Sequence, residues 1–182
     1  MKVTIVGLNH DLQWKDPRDR LRQVLADIFD NSPIDLVAEE AYNLPTTVAQ
    51  RLACKMNKPW LDVDMNYIER KESGIDEELK QLRSSPIFEN GDFVGETHCY
   101  LNKADEVREQ HWITKLLRQR VSNAILICGL LHVGPVTTKL QSKGCIVEEV
   151  HIANSEWYTA DYGTCTIVEE NGKRWCEILR KQ

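Results

Sequence analysis

Two histidines stand in matching phrases. Gly7-Leu8-Asn9-His10 follows the apolar run Lys2–Val6, and Gly129-Leu130-Leu131-His132 follows Ala124–Cys128. In each, a buried strand is expected to end in a glycine turn and then to offer an imidazole. Imidazole changes charge near neutral pH, so it serves as general base, general acid or metal ligand. Carboxylates follow two further apolar runs: Glu39 and Glu40 after Ile34–Ala38, and Asp62 and Asp64 at the end of Pro59–Asp64. Two histidines and a carboxylate suit two chemistries. They can ligate a divalent metal that activates water, or a histidine beside a carboxylate can act as a general base with no metal.

Each feature has a plainer reading. A single G-x-x-H phrase arises often by chance, and a strand-end histidine is commonly a hydrogen-bonded structural residue. Asp62 and Asp64, two residues apart and so on one face, suit capping of the next segment. Strand alternation lets at most one of Glu39 and Glu40 face a site, and the other is expected to meet solvent or a basic side chain. The joint placement at successive strand ends is what makes the group a candidate site, because ligands of open α/β sheets bind at the carboxyl ends of the strands. After His132, Gly134-Pro135 suits the first turn of a helix, whose free N–H groups could hold an oxyanion.

The elements that must position these groups alternate. Strands are expected at Lys2–Val6, Ile34–Ala38, Pro59–Asp64, Ala124–Cys128 and Cys145–Val150. Between them, Leu21, Val24, Leu25, Ile28 and Phe29 recur at helical spacing behind an Asp16-Pro17 start. Helices are also expected over Pro45–Met56, near Asp105–Val121 behind a capping-box-like Asn102-Lys-Ala-Asp105, and over Pro135–Ser142 with Gly144 just past its end. The stretch Asn66–Lys103 reads as an irregular insert or lid with a charged helix near Ile75–Leu82. The tail over 156–180 reads as a β-hairpin turning at Asn171-Gly172. The fold expected is one α/β domain over residues 1–182, a mainly parallel sheet flanked by helices on both faces with a C-terminal β-hairpin.

Composition narrows the function classes. The 182 residues are 42% hydrophobic and 28% charged, ordinary for a globular domain. The formal net charge of −5 disfavours a general nucleic-acid binder. The longest apolar run is far too short to span a bilayer, and no signal-peptide pattern is read at the N-terminus, so a cytoplasmic setting without a membrane partner is expected. None of the six cysteines is spaced as C-x-x-C, and Cys128 and Cys145 read as reduced core residues.

The second phrase also carries a family resemblance. Arg108-Glu-Gln-His-Trp112-Ile113, then Ala124-Ile-Leu-Ile-Cys-Gly-Leu-Leu-His-Val-Gly-Pro135, then Leu140 through Gly144 to Val150, resembles the C-terminal block of the TraB/GumN–Tiki–EreA-like superfamily. Gly7/His10 and the glutamate after the second strand match its other hallmarks. The likeness covers most of Lys2–Val150, through short motifs. Gly134 stands one position earlier than the family's trailing glycine, Leu8 stands where many relatives carry a small hydroxyl residue, and the helical insert is small.

Relatives include metal-dependent peptidases, erythromycin esterases and toxin domains, with a heme-binding branch related through the ChaN-like fold. The resemblance implies hydrolysis of a small-molecule or peptide substrate centred on His10, His132, Glu39 or Glu40, and an arginine. Arg108 is the best match for that arginine, as stabiliser of an oxyanion, and Arg70 is second. A divalent metal (Mn, Co or Zn) would rest on His10, Glu39 and His132. The alternative is a non-catalytic heme-, metal- or small-ligand-binding protein on the same fold; an accessory module acting through a protein partner ranks last.

Other features take plainer readings. Glu96-Thr97-His98-Cys99 is expected on a mobile polar loop, and His111 and His151 as structural residues. Trp60 and Trp112 are expected in the core, with Trp14 either lining a pocket or packing on the first helix.

Overall fold

A computed structural model of the chain describes residues 1–8, 10–14, 19–41, 46–75, 84–89, 92–99, 102–152, 164–170 and 173–179. Five strands make an all-parallel sheet: β1 (Lys2–Leu8), β2 (Leu36–Glu39), β3 (Trp60–Asp62), β6 (Asn123–Gly129) and β7 (Ile146–His151), in the spatial order β3-β2-β6-β1-β7. The late strand β6 inserts between β2 and β1, so the three central strands are those that precede Glu40, His132 and His10. Topology, not sequence proximity, brings these residues to one edge.

Alternation along the strands builds two cores. Val6, Leu8, Val37, Ile125 and Ile127 pack on one face under α2 (Arg20–Asn31) and α3 (Val48–Lys55), meeting Leu21, Leu25, Val48 and Leu52. Val3, Ile5, Ala38, Leu126 and Cys128 pack on the other under α5 (Asn102–Arg118) and α6 (Val133–Ser142), meeting Trp112, Ile113, Leu116, Val136 and Leu140. Each fully buried aliphatic side chain contributes roughly 1.5–3 kcal/mol, so this two-faced burial holds the strand ends rigidly.

Local signals explain the helix limits. Thr47 caps α3 by accepting from the Gln50 N–H, and Gly144 follows α6 at φ 79°, a left-handed conformation that suits a residue without Cβ. The expected Asp16-Pro17 start lies outside the described residues. Cys128 and Cys145 are buried free thiols, as expected of core residues, and burial pushes the Cys128 thiol well up. No helix among the described residues is long and apolar enough to cross a membrane.

The insert and tail differ from expectation. Asn66 and Glu69 form a reciprocal capping box that starts α4 (Tyr67–Ser73). Most of the charged helix expected near Ile75–Leu82 lies outside the described residues. The stretch read as loop contains β4 (Ser84–Glu89) and β5 (Asp92–Cys99), an antiparallel pair that includes Glu96–Cys99. The dipeptide between them, Asn90-Gly91, is itself a hairpin-turn signal. In the tail, β8 (Thr164–Glu170) and β9 (Lys173–Leu179) run antiparallel, but β9 also pairs with β5. One four-stranded sheet, β4-β5-β9-β8, thus joins the insert to this tail pair. The turn at Asn171-Gly172 lies outside the described residues.

Candidate functional site

Glu40 is the centre. It leaves the end of β2 with its backbone N–H bonded to the Ile127 carbonyl, which directs its side chain over the end of β6. One carboxylate oxygen, Oε2, accepts from the Gly129 N–H at 3.0 Å and lies 3.6 Å from His10 Nε2. The other, Oε1, accepts from Arg108 Nη2 and lies 3.9 Å from His132 Nε2. Both imidazoles therefore turn the same nitrogen toward one carboxylate. Gly129 permits this crowding: a Cβ there would stand 2.7 Å from His10 Nε2 and 3.5 Å from His132 Cδ2.

The two rings are held from behind by different partners. His10 Nδ1 is 2.7 Å from Gln13 Oε1. His132 Nδ1 is 2.8 Å from Glu109 Oε1, and Glu109 is paired in turn with Lys139. Trp112 meets the His132 ring edge-on at 4.8 Å. Exposure differs sharply, with the His10 side chain 45% accessible and that of His132 only 8%. His10 is the member that meets solvent.

Burial opposes ionisation of Glu40, but the charges of His10, Arg108 and His132 and the Gly129 N–H outweigh it and hold the carboxyl down at about 2. This has a signed consequence for stability. A carboxylate whose folded pKa is depressed stabilises the fold above its unfolded value of 4.5, and that contribution is lost as pH falls toward about 2. Urea unfolding of wild type and Glu40→Gln checks it: the advantage of wild type is expected to shrink by ~2 kcal/mol between about pH 6 and pH 3. A constant difference would contradict the charge placement.

Arg108 lies almost entirely buried among three carboxylates. Besides Glu40, its Nε and Nη2 donate to Asp64 at 3.3 and 3.1 Å, and its Nη1 donates to Asp105 at 3.3 Å. Burial works against its charge, but Glu40 and Asp64 raise its pKa above the usual arginine value. Such a guanidinium anchors Glu40, a role different from the oxyanion stabiliser expected of it. Asp105, read as a capping residue, is one of its partners. Arg70 donates to Asp64 Oδ2 and the Met65 carbonyl, so it braces the Asp64 end of the same network.

Glu39 does not share the site. It turns to the opposite face of the sheet, where Oε1 accepts from Gln13 Nε2 at 3.0 Å and Oε2 accepts from Thr47 at 2.6 Å and from the Trp60 indole N–H at 2.8 Å. It was expected to meet solvent or a cation if Glu40 faced the site; it is wholly buried among neutral donors, and desolvation raises its pKa despite their hydrogen bonds. Asp62 and Asp64 divide similarly. Asp62 accepts from the Ala41 and Asp64 N–H groups, a capping role, while Asp64 receives Arg70, Arg108 and the Trp112 indole N–H.

The metal set His10, Glu39 and His132 is therefore not assembled, because Glu39 faces away. Glu40 cannot simply replace it, since a cation at its carboxylate would sit against the Arg108 guanidinium. Among the described residues no three His, Cys, Asp or Glu side chains are arranged to hold a metal ion. The described residues do not fit the metal.

Three contributors escaped the sequence reading: Gln13, Glu109 and Lys139. Gln13 stands three residues after His10 and Glu109 directly after Arg108, but each acts through a partner that only the fold brings near. His151 bonds to Glu149 at 3.0 Å on β7, apart from this cluster. Comparison with known protein families, characterised proteins and solved structures finds no match to this chain.

Proposed function

We propose that the chain is a metal-independent hydrolase of the Tiki/EreA-like class, acting on an ester or amide carbonyl of a small-molecule or peptide substrate. The observation that carries this reading is the convergence of two imidazole Nε2 atoms, each within 4 Å, on one buried Glu40 carboxylate. In this reading His10, the exposed member, takes a proton from water through Nε2 as the water oxygen bonds to the carbonyl carbon. Glu40, kept ionised, stabilises the imidazolium that forms. His132, with a carboxylate beside each ring nitrogen, gives its Nε2 proton to the departing alcohol or amine as the carbonyl–heteroatom bond breaks. The proton gained at His10 and the one lost from His132 then exchange with solvent. Arg108 holds Glu40 and touches no substrate.

The test is turnover of an ester and peptide panel by wild type, His10→Ala and His132→Ala, with an absorption spectrum of the purified protein to register any bound heme or other chromophore. Loss of turnover in both variants is expected; unchanged turnover sinks the proposal. Gly129→Ala probes the same geometry. The added methyl must displace the exposed tip of His10, so turnover is expected to fall roughly tenfold or more while the unfolding midpoint moves by a few degrees at most. Full activity in this variant would show that the His10–Glu40 approach is not used.

A further inference from the structure

Gln13 is fully buried and belongs to the short α1 (Asp11–Trp14) that follows His10. Its amide nitrogen donates to the Glu39 carboxyl at 3.0 Å and to the Glu40 backbone carbonyl at 2.8 Å, and the backbone carbonyl can only accept. With both N–H bonds committed, the amide oxygen is the atom left to face His10, 2.7 Å from Nδ1. A carbonyl oxygen only accepts, so His10 Nδ1 must carry the hydrogen.

We infer that Gln13 is a positioning residue that holds His10 in its Nδ1–H tautomer, so that the neutral ring presents an unprotonated Nε2 beside Glu40. The inference deepens the hydrolase reading and, as a claim about catalysis, rests on it. An unrestrained imidazole favours the opposite tautomer, with hydrogen on Nε2; that form carries its lone pair on Nδ1, which faces Gln13, and offers none at Nε2. Glu39 acquires a purpose in this arrangement. Its carboxylate, pinned on the far side by Thr47 and Trp60, fixes which way the Gln13 amide points and so which nitrogen of His10 is free.

The experiment reads the tautomer directly. Long-range proton–nitrogen correlation spectra of 15N-labelled protein, recorded at alkaline pH where the rings are neutral, distinguish the two forms, and His10→Asn assigns the His10 signals by their loss. Wild-type His10 is expected to show the Nδ1–H pattern, and Gln13→Met, which keeps the length but neither donor nor acceptor, is expected to shift it toward Nε2–H. An Nε2–H pattern in wild type, or an unchanged Nδ1–H pattern in folded Gln13→Met, overturns the inference. If Gln13→Met does not fold, the wild-type spectrum decides alone. In the kinetic arm, kcat of Gln13→Met is expected to fall roughly tenfold or more with KM unchanged; a wild-type kcat would remove Gln13 from catalysis. A wild-type Nδ1–H pattern in a protein without turnover would uphold the tautomer and remove only the hydrolase reading.

Discussion

Arg108→Leu is expected to destabilise the fold by ~3–5 kcal/mol, because removing one partner from a buried charge network leaves the others uncompensated. Here the deficit is unusually concentrated. Arg108 serves Glu40, Asp64 and Asp105 at once, all nearly inaccessible to water. Leucine matches much of the buried volume but leaves Asp64 with Arg70 and the Trp112 indole, and Glu40 with the histidines and the Gly129 N–H. Arg108→Lys is expected to recover only part of the loss, since one ammonium cannot span three carboxylates as a planar guanidinium does. Denaturant unfolding at neutral pH measures both variants. A loss below about 1 kcal/mol for Arg108→Leu would mean that the network is held by other means.

The second large effect is kinetic. Removing either histidine is expected to lower kcat/KM by roughly 10²–10⁴, the usual range for a positioned acid or base. The double variant His10→Ala/His132→Ala is expected to fall little below the worse single variant, because groups acting as one unit give non-additive losses. The same pair supplies the control for misfolding. His10 is half-exposed, so His10→Ala should lower the unfolding midpoint less than His132→Ala does. His132 is packed against Trp112 and bonded to Glu109, so His132→Ala should lower it. Additive kinetic losses would indicate two independent roles.

Much of this arrangement was legible in the residues. The apolar runs ahead of Gly7 and Gly129, set in a strand–helix alternation, mark parallel strands whose carboxyl ends carry His10 and His132. The phase of β2 was not legible, because both faces of a central parallel strand are buried and the apolar run carries no mark of which glutamate faces which side. Either glutamate could serve the catalytic set, and the metal set expected on Glu39 took the phase that the fold does not adopt. The partners of Arg108 were not legible for a related reason. Its family-like position suggests an oxyanion donor, whereas its three carboxylate partners come from residues up to 68 positions away. Strands β4 and β5 are hard to read because Pro86 and Gly95 break the expected strand pattern, although the dipeptide Asn90-Gly91 is a hairpin-turn signal. Gln13 and Glu109 serve the site by holding its histidines, and no local pattern announces such a role.

The most direct measurement is hydrolysis of the ester and peptide panel by protein treated with chelator and exchanged into metal-free buffer, beside the double histidine variant treated in the same way. A metal-independent acid–base pair requires that turnover survive chelation in wild type and vanish in the double variant. Turnover that disappears with the chelator, or that persists at the wild-type rate without His10 and His132, would contradict it.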